Sequence, residues 1–115
     1  MSARPKANLR RGALRFAALG DPTRLRLVTR MCDLGPSSIA RLTAGAEVTR
    51  QALSKHLQVL EQAGLARSQR QGREVHWRLV PSALDETRLH LERLAEGWES
   101  ALGRLKDFVE DQGLE

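Results

Sequence analysis

Apolar positions recur at helical spacing along most of this chain, and the gaps fall on residues that cap or stop helices. Leu9, Ala13, Phe16 and Ala17 share one face of a predicted helix over residues 8–19, which Gly20 ends. Asp21 caps a second helix, with Pro22 in its first turn, where a missing N–H costs nothing. Leu25, Leu27, Val28, Met31 and Leu34 form its apolar side, and Gly35-Pro36 closes it. Ser37 is the predicted cap of a short third helix over residues 38–43, with Ile39 and Leu42 as its buried pair. A turn at Gly45-Ala46-Glu47-Val48 follows. Leu53, Leu57 and Leu60 then fall at i, i+4 and i+7 of a fourth helix over residues 50–63, capped by Thr49 and stopped by Gly64. Two short helices joined by so small a turn form a helix-turn-helix pattern.

The period then changes from helical to alternating. Val75, Trp77 and Leu79 lie on one side of the stretch 74–79 and His76 and Arg78 on the other, as in a half-buried strand. Residues 65–70 can pair with it across a turn at Gln71-Gly72-Arg73. Pro81-Ser82 opens a final helix predicted over residues 82–112. On it Leu84, Leu91, Trp98 and Leu105 recur every seven residues. Leu94, Ala101 and Phe108 interleave, and Ala95, Leu102 and Val109 widen the stripe, as in a coiled-coil seam. Such a helix is roughly 45 Å long at ~1.5 Å per residue. That exceeds what a domain this small can cover, so part of the stripe is expected to meet a second chain.

The predicted fold is mainly α, about five helices plus a two-stranded wing, in a dimeric winged helix-turn-helix. Residues 1–7 read as a basic flexible tail. Residues 8–80 read as the winged domain, its first helix also in the dimer interface. Residues 81–115 read as a long dimerisation helix with a short tail. The expected interface residues are Leu9, Ala13, Phe16, Leu84, Leu91, Leu94, Ala95, Trp98, Leu102 and Leu105.

Charge gives this frame a direction. The chain has 115 residues and a net charge of +5, but residues 1–80 carry 15 Lys/Arg against 5 Asp/Glu while residues 81–115 carry 4 against 9. A basic body with an acidic C-terminal segment points to a polyanion partner for the body. Aromatic residues are only 3%, so the core must be mostly Leu, Val and Ala. The single cysteine, Cys32, permits neither an intramolecular disulfide nor a Cys-rich metal framework, and it reads as a small core residue. No apolar run approaches the ~18–20 residues of a membrane span. The basic N-terminus lacks the apolar stretch of a secretory signal, so a cytoplasmic protein without a membrane partner is expected. There is no Gly-rich phosphate loop, Ser/His/Asp or Cys/His constellation, or paired carboxylates at a strand end, so neither an enzyme nor a cofactor is expected.

The polar face of the fourth helix carries Thr49, Arg50, Gln51, Ser54, Lys55 and Gln58, with His56 at its edge. Arg and Gln side chains can bond guanine and adenine edges in bidentate fashion, and Ser and Lys can hold phosphates. The hairpin adds Arg67, Arg70, Arg73 and Arg78, a basic wing suited to the DNA backbone or minor groove. His76 and His90 read as surface residues.

These residues carry a family resemblance. Leu19-Gly20-Asp21-Pro22-Thr23-Arg24-Leu25-Arg26-Leu27 is followed by Gln51-Ala52-Leu53-Ser54-Lys55-His56-Leu57-Gln58-Val59-Leu60-Glu61-Gln62-Ala63-Gly64-Leu65, and Gln71-Gly72-Arg73 precedes the strand. Together they resemble the ArsR-type winged-helix transcriptional regulators over about residues 9–110. The resemblance implies a homodimeric transcriptional repressor that binds double-stranded DNA at an inverted-repeat operator, with the first and last helices at the dimer interface. Metal-sensing members carry Cys-x-Cys on the helix before the recognition helix, whereas Ser38-Ile39-Ala40-Arg41-Leu42-Thr43 offers no ligand. Zinc-sensing members pair Asp and His two apart at the start of the last helix, whereas Asp85 is followed two places on by Thr87. The chain therefore resembles the subgroup without metal sites, and no metal ligand is expected. A protein-interaction adaptor and a repressor released by a small organic effector remain alternative readings.

Overall fold

The computed structural model describes residues 3–113. α1 (Ala3–Leu19) and α2 (Pro22–Leu34) are joined at the Gly20-Asp21 corner. There Asp21 accepts from the backbone N–H of Arg24 at 3.0 Å, satisfying one of the first-turn donors. A two-residue strand β1 (Ser37–Ser38) leads into α3 (Ile39–Thr43), then α4 (Arg50–Gln62), β2 (Ala66–Gln71), β3 (Glu74–Leu79) and α5 (Pro81–Asp111). The strands form one antiparallel sheet in the order β1-β3-β2. The core lies where α2, α3 and α4 meet the base of that sheet. Leu27, Met31, Leu42, Leu53, Leu57, Leu60, Leu65 and Trp77 are all buried there.

The structure corrects several expectations. The sheet has three strands rather than two, because Ser37 pairs with Trp77 and Ser38 with His76. Ser37 is therefore a buried strand residue, and Ser38 caps α3 by accepting from Arg41 N–H. Residues 3–7 belong to α1 rather than to a tail, while residues 1–2 lie outside the described residues. The three closing residues expected as a tail include 114–115, which also lie outside them. Cys32 is exposed rather than packed in the core. Leu25 and Val75 are likewise more exposed than their apolar faces suggested.

α1 shows why its apolar stripe misled. The face it turns to its own domain carries Gly12, Arg15 and Ala18, all buried, while Leu9 and Ala13 point to solvent. Gly12 has a packing reason. A Cβ there would lie 2.8 Å from Cε1 of His90, so any larger residue would force that ring to shift. His90 is thus half-buried between helices, with Phe16 edge-on to its ring at 6.2 Å, and is not the surface residue expected.

Candidate nucleic-acid interface

α4 is built to show one face and bury the other. Leu53, Leu57 and Leu60 are at most 2% exposed, so the helix is seated by its leucine stripe. Thr49 Oγ1 accepts from Ala52 N–H at 3.1 Å, which commits that oxygen to capping. Arg50, Gln51, Lys55 and Gln58 are exposed, and Ser54 is half-buried. Arg50 and Ser54 line an open cleft of about 550 Å³ together with Ser38, Ile39 and Ala40 at the start of α3 and Glu74 and Val75 on the wing. The recognition helix and the wing therefore share one surface, which separation in sequence alone could not show.

The wing closes in a two-residue loop, Gly72-Arg73, between the paired Gln71 and Glu74. Gly72 has φ +65° while Arg73 does not have positive φ, which matches a turn with glycine at its first central position. Arg70 pairs with Val75 near the tip, on the sheet face that carries Trp77. Arg67 pairs with Arg78 on the opposite face, four residues back from the tip, roughly 13 Å at ~3.3 Å per residue. Among the described residues neither Arg67 nor Arg78 has a carboxylate at ion-pair distance. Two like charges directly opposite on neighbouring strands repel. His76 sits beside Glu74, with Nε2 3.1 Å from its carboxylate.

Two polar clusters hold α4 from behind. His56 is turned inward rather than outward, its Nδ1 3.3 Å from an Arg24 guanidinium nitrogen and 3.9 Å from the Asp21 carboxylate. Arg24 Nε donates to Ala18 O at 2.7 Å, so this cluster ties α4 to the α1–α2 corner. The Asp21 carboxyl is held below its usual value chiefly by the Arg24 N–H, with the charges of Arg24 and His56 adding. At the other end, buried Arg15 donates through Nε to Ala63 O at 3.1 Å and through Nη1 to Glu86 Oε2 at 2.5 Å. The Glu86 carboxyl is held below its ordinary value near 4.5, first by the Arg15 hydrogen bond and then by the charges of Arg15 and Arg11.

The sign of that shift gives a pH dependence. A carboxylate stabilised in the folded state contributes fully above its unfolded value and loses the contribution as pH falls through the folded one. Acid should therefore weaken the α1–α5 contact below about pH 4.5. Urea denaturation between pH 6 and pH 3.5 should show a shallower loss for Glu86→Gln than for the unmodified chain. Parallel curves would mean that Glu86 contributes nothing to acid sensitivity.

Comparison with known proteins bears on what this surface is for. Residues 19–69 match the pattern of a helix-turn-helix domain. An ArsR-like transcriptional regulator from Rhodococcus sp. RHA1 has a similar structure, with a TM-score of 0.76 and 33% identity, covering 89% of this chain and 95% of that one. The HTH-type transcriptional regulator Rv2034 of Mycobacterium tuberculosis is 32% identical over 98 residues, covering 85% of this chain and 88% of that protein. The chain belongs to the ArsR family of winged-helix transcriptional regulators. The family also includes the arsenical resistance operon repressor of Escherichia coli, 35% identical over 66 residues; that match spans only 56% of the repressor's length.

As a member of the ArsR family, the chain is a DNA-binding transcription regulator. Among its described residues no three His, Cys, Asp or Glu side chains come together closely enough to hold a metal ion. Nor, among them, is any helix long and apolar enough to cross a membrane. The residues expected at a dimer interface divide in two. Leu84 packs against the domain's own core, and Phe16 is half-buried against His90. Leu9, Leu91, Leu94, Trp98, Leu102 and Leu105 are 44–71% exposed, and Ala13 and Ala95 are also exposed. Sequence reasoning missed Arg15 and Arg24, whose guanidinium groups meet Ala63 and His56 of the α4 segment. The available signal was an arginine three places from Gly12 and from Ala18 on one helix face.

Proposed function

We propose that this ArsR-family protein is a sequence-specific repressor that binds double-stranded DNA as a homodimer at an inverted repeat. It acts by occupying promoter DNA, with no chemistry on a ligand and no metal signal. The observation that carries this reading is the cleft that Arg50 and Ser54 of α4 share with Glu74 and Val75 of the wing, on a helix whose Gln51, Lys55 and Gln58 are also exposed. Recognition-helix side chains read base edges in a major groove, and the wing holds the adjoining backbone or minor groove. The apolar stripe of α5, left without cover in one chain, supports pairing with a second copy. A two-fold dimer reads half-sites one helical turn apart, roughly 34–36 Å.

Within this interface, Arg50 and Gln51 take base edges, Ser54 and Lys55 take base edges or phosphates, and Arg70 and Arg73 take the backbone. Thr49 and His56 serve the helix first, one as its cap and one as its tie to Arg24. Arg67 and Arg78 stand further back and add positive field to the flank. Arg50→Ala or Gln51→Ala should cost about 1–3 kcal/mol on the specific site and relax base preference there. Equal loss on every duplex would remove the base-reading role. Arg73→Ala should weaken binding to all duplexes and lower the salt slope by about one unit. An unchanged slope would place the wing off the DNA.

The test of the whole reading is selection of bound duplexes from a random DNA pool at about 150 mM salt, where the backbone term is moderate. Recovery of a short inverted repeat is the expected result. Salt-sensitive binding to all duplexes with no motif would overturn it and favour an interaction adaptor.

A further inference from the structure

Arg15 is buried at 7% exposure, yet it lies outside the recognition helix, the wing and the exposed stripe of α5. It stands on α1 and reaches two other elements at once. Its Nε meets the carbonyl of Ala63, the C-cap residue of α4, at 3.1 Å, and Nη1 meets Glu86 of α5 at 2.5 Å. The last carbonyls of a helix have no partner within it, and they form the negative end of its dipole. A guanidinium there satisfies one carbonyl with a charge-assisted bond and complements that dipole. Its planar fork fixes direction as well as distance, which an ammonium would not.

The surroundings leave little slack. Gly64 follows with φ +76°, and a Cβ on it would stand 3.4 Å from Nη2 of Arg15. Leu65 N–H bonds back to Leu60 O at 2.9 Å, so the chain leaves the helix in one tight turn before β2. Arg11 adds a second cation 3.6 Å from Glu86, so that carboxylate is held from two positions on α1.

We propose that Arg15 is a positioning residue for DNA recognition, fixing the C-terminal end of α4 against the α1–α5 pair. This rests on the DNA-binding reading above. α1 and α5 carry the exposed apolar residues assigned to the dimer interface, so the clamp sets each recognition helix relative to the two-fold axis. Half-site spacing then depends on a residue that touches no DNA. The groups that the guanidinium bonds are Glu86 of α5 and the carbonyl of Ala63, and at 7% exposure it is not itself open to a phosphate.

The test uses full-length Arg15→Met, Arg15→Lys and Glu86→Gln, at a temperature where each is shown to be folded. Affinity is measured for the selected duplex and for an unrelated duplex of equal length. Hydrogen exchange is followed in the free proteins over residues 60–66. Arg15→Met should lose about tenfold or more on the selected duplex, as for loss of a buried charged hydrogen bond, with under about twofold change on the unrelated one. Exchange over residues 60–66 should rise by a similar factor. Arg15→Lys should fall between, because it restores charge without the fork, and Glu86→Gln should move in the same direction by less. Equal loss on both duplexes, or full specific affinity in a folded Arg15 variant, would overturn the proposal. Should Arg15→Met fail to fold, Arg15→Lys and Glu86→Gln decide it by the same ratios. A wild-type chain that selects no motif would instead sink the repressor reading; unchanged exchange over residues 60–66 would then sink the clamp separately.

Discussion

Leu94→Glu combined with Trp98→Glu is expected to give a folded monomer that loses about a hundredfold or more of its affinity for an inverted-repeat duplex. Both residues are 65% exposed, so the domain's own core does not depend on them. They belong to the part of α5 that continues past its contact with α1, where Leu91, Leu102, Leu105 and Phe108 are also more than 40% exposed. Fully burying one such side chain contributes about 1.5–3 kcal/mol, and two buried carboxylates per chain reverse the sign of the contact. Two half-sites held by one dimer gain about 10²–10⁴ over one, which is the source of the expected loss. Sedimentation velocity reads the assembly, urea denaturation reads the fold and anisotropy reads the affinity. A double variant that still sediments as a dimer would show that other contacts hold the pair. A monomer with unchanged affinity would show that pairing is not what binds the repeat.

Leu57→Ala should destabilise the domain by about 2–5 kcal/mol, a large share of the roughly 5–15 kcal/mol typical of a small domain. Leu57 is 0% exposed, and Leu53 and Leu60 on the same stripe are 2% and 0% exposed. The cost is a lost transfer term plus a cavity beneath the recognition helix. Gln58→Ala, one position on and exposed, is the control and should shift stability by less than about 0.5 kcal/mol. Urea midpoints at neutral pH compare the two. A Leu57→Ala cost no greater than that of Gln58→Ala would mean that the stripe does not seat the helix.

Helix boundaries were legible at most places where local chemistry sets them, the cap of α3 being Ser38 rather than its neighbour Ser37. Asp21 and Thr49 cap by their own oxygens, and Gly35 and Gly64 take the positive φ that a chain leaving a helix requires. The recognition helix was legible for a second reason, since its buried stripe is unmixed leucine. β1 was not legible, because two serines carry no period and their strand exists only through pairing with Trp77 and His76 some forty residues away. α1 was half legible. Its visible apolar stripe faces outward except at Phe16, which meets His90, and its inner face holds Gly12, Arg15 and Ala18, of which only Ala18 reads as apolar. His56 sits on the right helix but is turned to Arg24 rather than to the exposed face.

The facing pair Arg67 and Arg78 has a thermodynamic consequence for the whole protein. Each lowers the stability of the empty wing by repelling the other, and any polyanion laid along that flank relieves the repulsion. If DNA lies along this flank, as proposed above, wing folding and anion binding are linked equilibria, and DNA stabilises the chain as a ligand as well as being its target. In its free state the regulator carries a small reserve of electrostatic tension, which is released only where the surroundings supply negative charge.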